Sequence, residues 1–315
     1  MKALLLTLIG VAFFFPRLAV SESYAVVTNQ GSNNVALVDL TTRRVIETIQ
    51  VGTKPAGVAI SPGSDRIFVT NPESKTLSVI DTDKKMQVME LPVGDGPVGI
   101  AISPDGNEVY VADWYKHIVT VVSTGKLKVN RTIKVGLSPS GIAASGSGKY
   151  LYVANRDDNN VMLINLESDE VEDIIEVGEA PFGIKLSKNG EELYVANVRT
   201  NDVSIINLPG RKVISSVEVG LRPYAITTAK EKLFVTNQWD NSVSVVDLES
   251  REVIKTIDVG EYPEGIDSDR DEKFVYVANW FDGTLSIIDT SSLEVVDTIK
   301  TGEGSRAFGN FILSR

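Results

Sequence analysis

The sequence predicts an all-β chain folded as a seven-bladed β-propeller of four-stranded antiparallel blades, and three observations carry that expectation. The segment Leu151-Tyr152-Val153-Ala154-Asn155 recurs in seven versions, whose last residues stand at 29, 71, 113, 155, 197, 237 and 279. All steps are 42 residues except one of 40, and a period of that size marks one supersecondary unit per repeat. Short β-branched and aromatic runs separated by turn residues fill each period, and helical periodicity is absent. Cutting at the repeat leaves no stretch for a second domain, so residues 22–315 read as a single domain.

The chain opens on a leader. Lys2 supplies a charge, Leu4 to Phe15 an apolar run, and Ala19-Val20-Ser21 small residues for cleavage, so residues 1–21 read as a signal peptide and Glu22 as the first mature residue. An uncleaved anchor is the alternative, but the run falls short of the ~20 residues a spanning helix needs. The expected address is therefore the periplasm or the medium, with no membrane span in the mature chain. Cysteine is absent, which excludes disulfides, an N-terminal lipid-modified Cys and thiolate metal sites.

Each unit reads as four strands. In one of them Ser140 to Ala144 leads into Tyr150 to Ala154, then Val161 to Asn165, then Val171 to Val177. The second strand is apolar on consecutive residues, so both faces of its sheet need cover, and radial closure supplies that for seven small sheets where an open solenoid would leave two bare. The first repeat begins directly with the second strand, Tyr24 to Thr28, while Phe308 to Leu313 at the other end matches a first strand. The C-terminal segment is thus expected to complete the first blade.

The turns follow the same logic. Four residues after the end of each copy stands Asn33, Lys75, His117, Asn159, Asn201, Asn241 or Gly283, a set pointing to a left-handed residue that closes a hairpin. The lone histidine could be a ligand or a general base, but at this slot it reads as a turn residue. Asp157-Asp158-Asn159-Asn160 could attract calcium, yet Asx turns explain it and the spaced ligands of an EF-hand are missing. A Val-Gly corner precedes each first strand, with Pro at 55, 97, 139, 181, 223 and 263. The seventh corner, Gly302 to Gly309, lacks the Pro, is two residues longer and carries Ser305 and Arg306.

The repeated [YF]V[AT]N segment with its Val-Gly-x-x-Pro-x-Gly corner resembles the YVTN (YncE-like) family of bacterial and archaeal β-propellers, over the entire mature chain. The resemblance implies the fold, and export, since members are mostly secreted or periplasmic. The broader fold also includes lactonases, a streptogramin lyase and subunits of quinone-dependent amine dehydrogenases, and none of these activities transfers on fold alone.

Strand order puts the second-to-third loops and the corners on one mouth of the channel. The loops contribute Trp114, Tyr115, Lys116, Arg156, Arg199, Trp239, Trp280 and Phe281, and the corners Lys54, Phe182, Arg222, Tyr224, Tyr262, Glu264 and Arg306. Aromatic rings and Arg forks suit an anionic or aromatic ligand, or a protein partner, while the same rings could serve only to buttress blades. Arg222 and Arg306 are expected to be replaceable together with folding nearly intact. The net charge is −11, and −13 once the leader takes Lys2 and Arg17 away, which argues against nucleic acid. The sequence supplies no convincing base, nucleophile or metal cluster, so no catalytic residue, cofactor or metal is assigned. The expectation is a monomeric, non-enzymatic binding or scaffold propeller serving a secreted redox or cofactor system. A lactonase-like hydrolase or lyase working through Glu264, and a surface adhesin, stand as alternatives.

Overall fold

The computed structural model describes residues 23–314, so the leader lies outside the described residues. These residues form seven sheets, each built on four antiparallel strands that run in chain order from the axis outward except in the first blade, whose innermost strand is the C-terminal one. The strands follow the expected runs to within a residue: blade 4 comprises Pro139–Ala144, Tyr150–Asn155, Asn160–Asn165 and Glu170–Glu176. The innermost strands contact one another around the whole ring, which is therefore closed. The apolar second and third strands form the interblade core, with residues such as Val153, Ile164 and Phe234 fully buried. No helix among the described residues is long and apolar enough to cross a membrane.

Closure follows the expected scheme with one correction. Only Ile312–Ser314 joins the first blade, with Leu313 opposite Tyr24. Phe308–Gly309 instead runs parallel to Gly57–Val58 and so extends the second blade's sheet. The expected single strand over Phe308 to Leu313 is thus split, and Phe311 between the two pieces is fully buried. This is the physical content of the longer seventh corner, because the chain has to leave one sheet and enter another.

The repeated signature is mostly structural. Asn155 is fully buried, accepts the Gly136 N–H at 3.1 Å and donates to Asn160, tying a corner to a second strand. A Cβ on Gly136 would sit 2.6 Å from the Asn155 side chain, which explains the glycine. Where the segment carries Thr instead of Ala, its hydroxyl staples neighbouring blades: Thr28 donates to Ala56 O, Thr70 to Val98 O and Thr236 to Glu264 O. The step of 40 lies at Lys230-Glu231, where two residues at φ 47° and 56° close a tight hairpin in place of a longer turn.

Candidate functional site

The left-handed slot behaves as its residue types require. Asn33, Lys75, His117, Asn159, Asn201, Asn241 and Gly283 all have φ between 51° and 62°. Asn33, Asn159, Asn201 and Asn241 each accept a corner N–H on Oδ1 at 2.9 Å. His117 does the same through Nδ1, which accepts the Ser138 N–H at 3.0 Å. Asp157, Asp158 and Asn160 are also engaged, by Ser138 and Arg156, by the Leu137 N–H, and by Asn155.

The mouth residues separate by depth. The residue after each corner Pro enters the first strand pointing inward, and on three blades it is Phe182, Tyr224 or Glu264, all buried. Phe182 stacks on Tyr224 with centroids 4.1 Å apart, Phe308 packs 5.1 Å from Phe182, and Trp114 lies 6.2 Å away on the other side. These rings come from blades 3, 5 and 6 and from the closing segment, so they can meet only across the axis. They form a plug.

Beside the plug lies a buried charge pair. Arg306 Nε is 2.9 Å from Glu264 Oε2, with the two side chains 17% and 8% exposed. The Arg306 fork also donates to the Tyr224 hydroxyl, and Gln238 Nε2 donates to Glu264 Oε1 at 3.0 Å. Burial pushes the Glu264 carboxyl above the usual range against the opposing pull of Arg306 and Gln238. Burial alone would lower the Arg306 pKa, but the Glu264 charge together with Tyr224 and Tyr262 more than offsets it and keeps the guanidinium protonated. The Tyr224 hydroxyl is likewise held neutral by burial. Removing Arg306 would strand Glu264 in an apolar setting, so the expectation that Arg222 and Arg306 can both be replaced without cost to folding does not extend to Arg306.

The rim is different. Tyr115, Trp239 and Phe281 are 70%, 60% and 64% exposed, and Leu137 and Leu221 on neighbouring corners are exposed too. Trp280 is tied down, donating from Nε1 to Gln30 Oε1 at 3.0 Å and packing with Tyr262 and Phe281. Two of the three tryptophans therefore buttress blades, and Trp239 does not. Arg222, at φ 55°, stacks its guanidinium 4.6 Å over the Trp239 ring and makes no salt bridge among the described residues. Arg199 stands exposed, and Lys54 is half-buried at φ 56°.

The other cations are matched by carboxylates. Lys116 pairs with Asp95, and Arg156 with Asp157. Lys75, and then Lys116, hold the Asp95 carboxyl below the usual range; Ser138 and Arg156 do the same for Asp157. What distinguishes this mouth is therefore its aromatic surface rather than an excess of positive charge. The described residues place no three His, Asp or Glu side chains where they could hold a metal ion. Gln238 and Phe308 are the functional neighbours that the sequence reading missed. Phe308 follows a corner without Pro, and Gln238 is a neutral side chain one residue after a repeat Asn.

Comparison with known proteins agrees with this geometry. The "YNCE-like beta-propeller" model matches residues 22–147 and 225–313. The "Lactonase, 7-bladed beta-propeller" model matches residues 85–212. Among solved structures, Kuenenia stuttgartiensis hydrazine synthase is similar at 24% identity and a TM-score of 0.77, covering 84% of this chain and 91% of that one. A functionally unknown protein from Desulfotomaculum acetoxidans DSM 771 aligns at 18% identity and a TM-score of 0.79, covering 91% and 99%. Dihydro-heme d1 dehydrogenase NirN, solved in complex with DHE, aligns at 14% and 0.69, covering 92% and 74%. At these identities the likeness is one of fold, and no curated protein matches the chain. With the first family model spanning well over half of the sequence, the chain belongs to the YNCE-like β-propeller family.

Proposed function

We propose that this propeller is an exported, non-enzymatic binding or scaffold protein, and that its partner is another protein seated on the rim of the plugged mouth. The observation that carries this reading is the distribution of exposed large apolar side chains. They fall into two sets: Val, Ile and Met on the outermost strands, and Tyr115, Leu137, Leu221, Trp239 and Phe281 on the mouth. The turns of the opposite face contribute none among the described residues. Aromatic residues presented on rigid loops are the usual anchors of protein interfaces. With Phe182, Tyr224 and Phe308 buried at the axis, this face offers a broad surface rather than a deep pocket, which favours a macromolecule over a small ligand.

The leader supports export to the periplasm or medium, and service to an exported redox system is supported by the names of two similar structures, a hydrazine synthase and a dihydro-heme d1 dehydrogenase. A second reading, a lactonase-like hydrolase, draws on the lactonase model, but Glu264 and Arg306 lie outside its matched residues 85–212.

The test is site-specific photocrosslinking in the native host. A photoreactive residue at Trp239 or Phe281 is expected to capture one defined partner, and one at Asn189 on the opposite face is not. Equal labelling from both faces, or a partner retained after Tyr115, Trp239 and Phe281 are all changed to Ser, would overturn the proposal.

A further inference from the structure

Beneath the plug the channel continues toward the opposite face, and there the blades differ again. The first-strand residue paired with the Tyr or Phe of the repeat is Ala59, Ala101 and Ala143 on blades 2 to 4. At the same register it is Lys185, Thr227 and Asp267 on blades 5 to 7. The three small residues leave a chamber of 240 Å³, walled by aliphatic side chains such as Ile100, Ile142 and Ile184 and reaching the ends of the first strands at Ile60 and Leu186. A narrow extension of 40 Å³ runs up to Phe308, where the plug begins.

One cation stands in this aliphatic wall. Lys185 Nζ lies 3.0 Å from Asn310 Oδ1 and 3.4 Å from Asp267 Oδ1. The latter is long for a charged hydrogen bond, whose usual length is ~2.8 Å. Asp267 is meanwhile satisfied through its other oxygen, which accepts the N–H groups of Phe311 and Ile312 at 3.0 and 3.1 Å. An ammonium carries three donors, so among the described residues Lys185 keeps one free, and it holds Asp267 loosely. Thr227, between Lys185 and Asp267 in the ring but outside the chamber's lining, has a fully buried hydroxyl with no partner among the described residues. Small-molecule sites have this composition, mostly apolar walls with a few polar groups.

We infer that this chamber binds a small monocarboxylate with an aliphatic or aromatic body, its carboxylate on Lys185 and its body against the isoleucines. The volume lies below the ~300–1,000 Å³ of sites for drug-sized ligands, which restricts the class to small molecules. Exposed Asn310 can turn its amide to donate to the same carboxylate. The site is at the far end of the channel from the rim, and stands independently of the protein-docking proposal.

Calorimetric titration of the mature protein with hexanoate, and with hexanol as its neutral counterpart, tests the inference. Hexanoate should bind about tenfold more tightly than hexanol, the ratio one charged hydrogen bond supplies. Lys185→Met should erase that difference while hexanol binding persists. Ala101→Leu and Ala143→Leu, which fill the chamber and leave the ion pair untouched, should abolish binding of both; they decide the matter even if Lys185→Met fails to fold. Absence of hexanoate binding, equal affinity for the two probes, or unaltered hexanoate binding in folded Ala143→Leu would each overturn it.

Discussion

At the floor of the mouth Phe182, Tyr224 and Phe308 are buried against one another with Arg306 and Glu264 beside them, whereas on the rim Tyr115, Trp239 and Phe281 stand mostly in solvent with Arg222 against Trp239. The two layers use the same chemistry, aromatic rings and arginine, and differ in position within the repeat. Floor residues follow a corner and enter the first strand, while rim residues sit one residue further out than the side chain that follows the repeat Asn. Depth converts one composition into two roles: the floor braces the ring, and the rim is left free to meet another surface. This division predicts that floor changes cost stability and rim changes cost binding.

The largest effect should come from cutting the closing segment out of the floor. Ending the chain after Gly304 removes Arg306, Phe308, the fully buried Phe311 and the strand Ile312–Ser314 that closes blade 1. It also leaves the Ser23–Asn29 edge bare, an invitation to aggregate. The truncated protein should be insoluble or lose its cooperative thermal transition. Retention of the full melting temperature would show that the closing segment is an appendage.

Next comes Arg306→Ala, which strands a buried carboxylate and should destabilise by about 3–5 kcal/mol in urea unfolding. Replacing both partners, Arg306→Met with Glu264→Met, should recover most of that loss, since no buried charge then lacks its counterion. A double variant as unstable as the single one would mean that the pair is needed for more than mutual neutralisation.

The rim should give the mirror image. Changing Tyr115, Trp239 and Phe281 to Ser should leave stability within about 0.5 kcal/mol at the first and cost about 0.5–1.5 kcal/mol at the last, for its edge-on contacts with Tyr262 and Trp280. Trp239 should cost about 0.5–1 kcal/mol more than Tyr115 for its lost contact with the Arg222 guanidinium. Affinity for the crosslinked partner should nevertheless fall by about 2 kcal/mol or more, as for interface anchors. Loss of stability instead of affinity would erase the distinction between the layers.

How much of this was legible in the sequence differs between ring and mouth. The period, the glycine corners and the left-handed slots are consequences of local backbone chemistry, and each copy reinforces the others. The 40-residue step even marks the Lys230-Glu231 hairpin. Depth is not local. Phe182 and Phe281 look alike as residues, and only the register of a first strand against a loop tip separates one buried in the axis from one in water. Phe308 reads as the start of a first strand but not as part of the floor, because its corner lacks the Pro that marks the others. Lys185 and Asp267 escaped because charged residues in a strand read as solvent-facing, whereas these two reach for each other across the channel.

The smallest effect expected at this mouth belongs to His117, and it checks that neither layer extends to the turns. Its imidazole accepts the Ser138 N–H just as four asparagines accept theirs in other blades, and its backbone is left-handed at φ 57°. Asparagine meets both demands, so His117→Asn should shift unfolding free energy by less than about 0.5 kcal/mol and leave partner affinity unchanged. Alanine meets neither: a left-handed conformation costs a residue whose side chain cannot hydrogen-bond locally about 1–2 kcal/mol, and the Ser138 N–H loses its acceptor. His117→Ala should therefore be measurably less stable than His117→Asn in the same urea titration. Equal stability of the two would show that the slot does not require an acceptor, and loss of partner affinity in His117→Asn would place the histidine in the binding surface instead of the turn.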